Sequence, residues 1–140
     1  MQEVVTFLSH HSTLGASALV IILLLLMVEF MRAKRNTFSV SAQAATQLIN
    51  HDNANVIDIR TTEQFKKGHI INAQSHPAKT IWDNPKKLEK LKAKPMILVC
   101  EQGVESQKLA VFLLKQGYMA YSLANGMRGW LEADMPVVTE

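Results

Sequence analysis

The chain has 140 residues, a net charge of +3, 48% hydrophobic and 6% aromatic residues, and one cysteine. That length holds one domain and a short extra segment, and the mild charge, with no basic stripe interleaved by aromatics, argues against nucleic acid as a partner. One cysteine excludes an intrachain disulfide and a multi-cysteine zinc site, and neither a metal nor a cofactor is expected.

Nothing ionisable lies between His11 and Glu29, and residues 14–28 read LGASALVIILLLLMV. A span over residues 12–31 has about the 20 residues that cross a bilayer. The run shows no polar face, which argues against a buried core helix. A cleavable signal peptide carries its basic residues before the apolar run, whereas Arg32, Lys34 and Arg35 follow it here. Basic flanks stay cytoplasmic. The expectation is a short outer N-terminus over residues 1–11, a transmembrane helix over 12–31, a basic juxtamembrane linker over 32–37 and a cytoplasmic domain over 38–140. A reducing compartment suits a free, reactive thiol.

In the soluble part, apolar runs alternate with helical ones. Ser41 is placed to cap a helix to about Asn50. Val56, Ile57, Asp58 and Ile59 read as a strand. Thr62 is the expected cap of one helical turn that Gly68 stops, and residues 73–76 suggest a short strand. Asn84-Pro85 opens a helix to about Leu91 with proline at its first position. Met96, Ile97, Leu98 and Val99 form an unbroken apolar run, as in a parallel strand buried on both faces. Residues 106–116 read as a helix with Leu109, Phe112 and Leu113 on one face and Gly117 past its end. Residues 118–123 supply a strand and 128–133 a last short helix. The alternation implies an α/β fold, a parallel sheet covered by helices on both faces.

A lone cysteine is by default a small buried hydrophobe. Cys100 stands in a different context, at the end of the most apolar strand, followed by the short loop Glu101-Gln102-Gly103-Val104-Glu105 and a helix beginning at Ser106. Ligands of open parallel sheets bind outside the carboxyl ends of the strands. A helix start offers unpaired amides and partial positive charge, which favour a thiolate. Gly103 lets the loop curl into a nest of amides suited to a thiolate, a persulfide or a small oxyanion.

These residues match a family. From about Phe38 to Glu140 the chain resembles a single-domain rhodanese. VIDIRTTEQFKKGHI, residues 56–70, is similar to that family's strand, Asp-x-Arg and Gly-His-Ile segment. CEQGVES, residues 100–106, is similar to its C-x-x-G-x-x-S active-site loop. NGMRGW, residues 125–130, followed by Met135-Pro136-Val137, resembles its closing segment. The anchor joined to one such domain resembles the membrane-anchored bacterial rhodaneses. This implies a rhodanese-like sheet behind one transmembrane helix, in a bacterial inner membrane, with the domain facing the cytoplasm.

The resemblance implies a sulfurtransferase or sulfur carrier. Cys100 would take sulfur as a persulfide from a small sulfur donor or a protein persulfide and pass it to a thiol or cyanide acceptor. Glu101, Gln102, Gly103, Val104, Glu105 and Ser106 would bind substrate, the loop amides as an oxyanion-type cradle, with the Ser106 hydroxyl donating to the persulfide or serving as a helix cap. Arg60 is expected first as a partner of Asp58 and second as a residue that orders the loop or attracts anions. His69 is expected in a local structural hydrogen bond rather than as a base, Trp130 in the core, and Lys66 and Lys67 on a solvated face.

Departures from the family pattern shape the rest of the reading. Residues 71–72 lack the usual Pro-Gly, and Asn125 replaces the first glycine of the closing pair. The loop carries Glu101 and Glu105 and no cation, whereas thiosulfate-using members commonly have Arg or Lys there. The two carboxylates oppose the helix-start effect and repel anionic donors, so thiosulfate activity is expected to be weak. A catalytically weak or silent binding module docked at the membrane is the alternative, and a redox-responsive thiol the third reading. Phosphatases of this fold need a longer loop and an arginine; here Ser106 stands at that place and Lys108 lies inside the helix.

Overall fold

The computed structural model describes residues 12–36 and 38–140. The chain forms two units, residues 1–37 and Phe38–Glu140. In the first, the described part is one helix, α1 (Ser12–Asn36). Its stretch Thr13–Met31 has 19 residues and is long and apolar enough to cross a membrane. At 1.5 Å per residue it rises about 28 Å, close to the thickness of a bilayer's hydrocarbon core. Side chains such as Ile21, Leu23 and Leu25 are exposed along it. The helix continues through residues 32–36, and the expected outer segment 1–11 lies outside the described residues.

The second unit runs β1 (Ser39–Val40), α2 (Ala42–Asp52), β2 (Asn55–Asp58), α3 (Thr62–Lys67), β3 (Gln74–Ser75), α4 (Ala78–Asp83), a 3-10 helix (Pro85–Leu91), β4 (Met96–Val99), α5 (Val104–Lys115), β5 (Ala120–Leu123) and α6 (Gly126–Glu132). The strands form one five-stranded sheet in the order β1-β5-β4-β2-β3, and every pairing is parallel. The expected parallel sheet flanked by helices is therefore present.

β4 is central because all four of its residues are apolar and buried. Side chains of a strand alternate between faces. Met96 and Leu98 join Ile81 of α4, Leu88 of the 3-10 helix and Leu109 and Leu113 of α5. Ile97 and Val99 join Ala42 and Ala45 of α2 and Met127 and Trp130 of α6. A strand covered on both faces has no polar side to offer, which is why this run shows no alternation in the sequence.

Several local features differ from what the sequence suggests. The cap of α3 is Thr61, not Thr62: the Thr61 hydroxyl accepts from the Gln64 amide, and the Gln64 side chain accepts from the Thr61 amide. This reciprocal pair outcompetes a single-sided cap one residue later. α4 carries no strong sequence signal; it is six residues long, and Ala78 and Ile81 fix it by burial. The segment opened by Asn84-Pro85 is a 3-10 helix, with the Asn84 side chain accepting from the Lys86 amide. α5 begins at Val104, because Gly103, at φ 86°, takes the N-cap place. Ser106 is thus the third residue of the helix and not its cap. α6 begins at Gly126, two residues before the expected start, after Asn125 in a left-handed conformation.

Candidate active site

Cys100 follows β4 directly and is only 5% exposed. Its Sγ accepts hydrogen bonds from the amides of Gly103 at 3.0 Å and Ser106 at 3.4 Å. The Ser106 hydroxyl lies 3.2 Å from the same sulfur and accepts from the thiol. Both amides belong to the loop's turn into α5, where the first N–H groups of the helix have no intrahelical acceptor. The strand end, the loop and the helix start thus aim donors at one sulfur atom, an arrangement suited to negative charge there.

Two glycines make the loop possible. A Cβ on Gly103 would come within 2.9 Å of the Asn125 amide, and its φ of 86° already disfavours an L side chain. A Cβ on Gly126 would collide with the Cys100 carbonyl oxygen. That close approach lets the opening amides of α6 hold the loop from behind: Met127 N–H donates to the Cys100 carbonyl at 2.8 Å and Arg128 N–H to the Glu101 carbonyl at 3.2 Å.

From β2, Arg60 grips the other side. Its guanidinium donates to Asp58 Oδ2 at 2.8 Å, to the Gly68 carbonyl at 2.7 Å and to Glu101 Oε2 at 3.3 Å. The Arg60 side chain is 8% exposed and that of Asp58 1%, so this is a buried pair. Burial works against the Arg60 charge, but hydrogen bonds and attraction from Asp58 and Glu101 outweigh it and hold the pKa above the ordinary arginine value. Arg60 is therefore the expected partner of Asp58 and also ties α3's end to the loop. The loop has no cation of its own; the fold brings one to Glu101.

The other expected residues divide cleanly. Gly103 and Ser106 are buried at the sulfur, while Glu101, Gln102, Val104 and Glu105 have exposed side chains. Among the described residues, the amides that reach Sγ are those of Gly103 and Ser106. His69 has the expected local bond, Nδ1 to the Phe65 carbonyl at 2.9 Å, and stacks on the Phe65 ring. Trp130 is buried, with its indole N–H donating to the Pro136 carbonyl. Lys66 and Lys67 are exposed; Lys67 also borders a cleft of about 320 Å³ that Arg60, Glu101, Leu131 and Val137 help to line.

Two contributors have no place in the sequence reading. Gly126 lies inside the closing NGMRGW segment but shows its purpose only when α6 is seen against the loop. Ser122, fully buried on β5, has its hydroxyl 2.8 Å from that of Ser106. Nothing in a serine 16 residues downstream signals this; the pairing of β5 with β4 creates it.

The sequence profile of the rhodanese-like domain matches residues 41–133. YibN of Escherichia coli (strain K12), an uncharacterized protein, is 31% identical over 140 residues, covering 99% of this chain and 98% of that one. The thiosulfate sulfurtransferase GlpE of Actinobacillus succinogenes is 28% identical over 107 residues, covering 71% of this chain and 89% of that one. Among solved structures, a rhodanese-related protein from Thermoplasma volcanium superposes with a TM-score of 0.66 at 26% identity, covering 73% of this chain and 98% of that one.

The buried pair sets an expectation for stability. Arg60→Ala strands the Asp58 carboxylate and should cost about 3–5 kcal/mol. Glu101→Gln should cost less than about 1 kcal/mol, because the Glu101 side chain is 55% exposed. Urea unfolding of the detergent-solubilised chain, followed by tryptophan fluorescence, measures both. Equal midpoints for the two variants would show that the Asp58–Arg60 pair does not hold this region.

Proposed function

The chain belongs to the rhodanese-like domain family, and we propose that it works as a sulfurtransferase or sulfur carrier with Cys100 as the covalent site. The observation that carries this reading is the convergence of the Gly103 and Ser106 amides on the Cys100 sulfur. The similarity to a thiosulfate sulfurtransferase supports it.

In the first step the Cys100 thiolate attacks the outer sulfur of the donor. The donor's S–S bond breaks, and its electron pair leaves with sulfite when the donor is thiosulfate, or with a thiolate when it is a persulfide. Cys100 then carries a persulfide whose outer sulfur is negative. In the second step a thiolate or cyanide attacks that outer sulfur, the new bond forms, and the electron pair of the breaking S–S bond returns to Cys100 as thiolate. In each step negative charge shifts between the Cys100 sulfur and the outer sulfur of the persulfide, and fixed amide donors aimed at the places where it develops favour the transfer without reorganising. The amides of Val104 and Glu105, at the helix start, are the donors left for a second sulfur.

The rim argues about which donor. Glu105 is exposed in the first turn of α5, and Glu101 occupies one guanidinium nitrogen of Arg60. A dianion such as thiosulfate therefore approaches two carboxylates and a cation already neutralised by Asp58 and Glu101. This favours a donor of lower charge, a persulfide on a thiol or on a protein, over thiosulfate. The exposed apolar length of α1 and the basic residues after it support a bilayer anchor with the domain on the cytoplasmic side.

Intact-mass measurement tests the chemistry. Incubated with a sulfur donor, the wild-type chain should gain the mass of one sulfur atom, and Cys100→Ser should gain none. A persistent gain in Cys100→Ser would sink the mechanism, and a wild type inert toward thiosulfate and persulfides alike would favour the binding-module reading.

Charge at the rim gives a second outcome. Glu101→Gln combined with Glu105→Gln should raise kcat/KM for thiosulfate by about tenfold at low salt, with the gain shrinking as salt screens the repulsion. No change at low salt would mean that neither carboxylate meets the bound donor.

For topology, a reporter fused after Glu140 that matures only in the cytoplasm should be active. Activity of an exported-only reporter at the same position would reverse the orientation.

A further inference from the structure

Behind the candidate nucleophile lies a pair of hydroxyls that the two-step chemistry above does not use. Ser106 Oγ is within reach of three groups: Cys100 Sγ at 3.2 Å, the Gly103 carbonyl at 3.2 Å and Ser122 Oγ at 2.8 Å. A serine hydroxyl has one proton to give and two lone pairs to accept with. Ser106 therefore cannot donate to all three, and its choice depends on what the sulfur is. Ser122 Oγ has Ser106 Oγ as its described partner, and both serines are fully buried. The backbone of Ser122 is pinned on both sides, paired with Ser39 of β1 and Leu98 of β4.

With Cys100 as thiol, S–H donates to Ser106 Oγ, and the Ser106 proton is free for the Gly103 carbonyl, which also accepts from the Gln107 amide. With the sulfur as thiolate, or as the inner sulfur of a persulfide, no S–H remains. The Ser106 proton then turns to the sulfur, and Ser106 Oγ needs a donor of its own. Ser122 O–H is the hydroxyl in place to supply it. We propose that Ser122 is a positioning residue for the sulfur chemistry of Cys100, donating to Ser106 whenever Ser106 donates to the sulfur. No proton travels through the serines: the thiol proton leaves to solvent or base, and the two hydroxyls only rotate. The proposal rests on reading Cys100 as the sulfur carrier, and it adds a third element, β5, to the loop and helix that hold the sulfur.

Alkylation of the detergent-solubilised full chain by iodoacetamide at fixed pH, followed by intact mass, tests it. Alkylation requires the thiolate, and Cys100 is the one cysteine in the chain. The charged groups on the surrounding elements, Asp58, Arg60, Glu101, Glu105 and Arg128, are the same in every variant, so differences report on the hydroxyl. Ser122→Ala and Ser122→Val should alkylate about fivefold more slowly than wild type, the equivalent of one lost hydrogen bond. Ser122→Thr, nearly the shape of valine but with the hydroxyl, should react like wild type. In a Ser106→Ala background, Ser122→Ala should have no further effect, since the chain of bonds is already cut. Equal rates for the threonine and valine variants would overturn the proposal, as would a Ser122→Ala loss that persists without Ser106. Alkylation needs no sulfur donor, so a chain that took up no sulfur would refute the transfer reading while leaving this test intact.

Discussion

The amide hydrogen bonds from Gly103 and Ser106 to the Cys100 sulfur are the contacts that the surrounding elements hold in place. An amide has only a partial charge and acts over one bond length, so a cradle of amides works only if the loop cannot move. Each neighbouring element meets that demand in its own way. β4 is apolar on both faces and sits in the middle of the sheet, which fixes where the loop begins. α5 buries Leu109 and Leu113, which fixes where it ends. α6 reaches the loop from behind through the close approach that Gly126 allows.

Electrostatics around the loop follow a different logic from that inside it. Asp58 and Arg60 form a buried pair whose removal on one side leaves a charge in a poor dielectric. Such a pair is a clamp rather than a source of large stability. Arg60 spends two of its remaining donors on the Gly68 carbonyl and on Glu101, so it joins β2, the end of α3 and the loop. A guanidinium committed in this way offers an incoming anion less than a free one would. The acidic rim and the committed arginine together leave little free positive charge at the mouth of the loop.

The apolar N-terminal helix and the domain from Phe38 onward meet separate demands. Residues 13–31 form a helix long and apolar enough to cross a membrane, and a helix satisfies its backbone internally. The domain from Phe38 onward buries its own core on both sides of one sheet.

Legible in the sequence alone were the apolar N-terminal helix, the β/α alternation, the buried central strand and the cysteine loop at its end. Each of these rests on local chemistry: an uncharged run of membrane length, a β-branched run, a glycine in the short loop before a helix start. It also placed Asp58 with Arg60 and gave His69 a local hydrogen bond, since both partners are near in the chain. Tertiary structure alone decided the rest. The helix start moved to Val104 because Gly103 takes a left-handed cap, and α4 exists because Ala78 and Ile81 find a core to enter. Arg60 met Glu101 across 41 residues, and Ser122 met Ser106 through strand pairing. A hydrogen bond between residues distant in sequence depends on register and on the angle at which elements pack, and neither is written in the composition of the segments it joins.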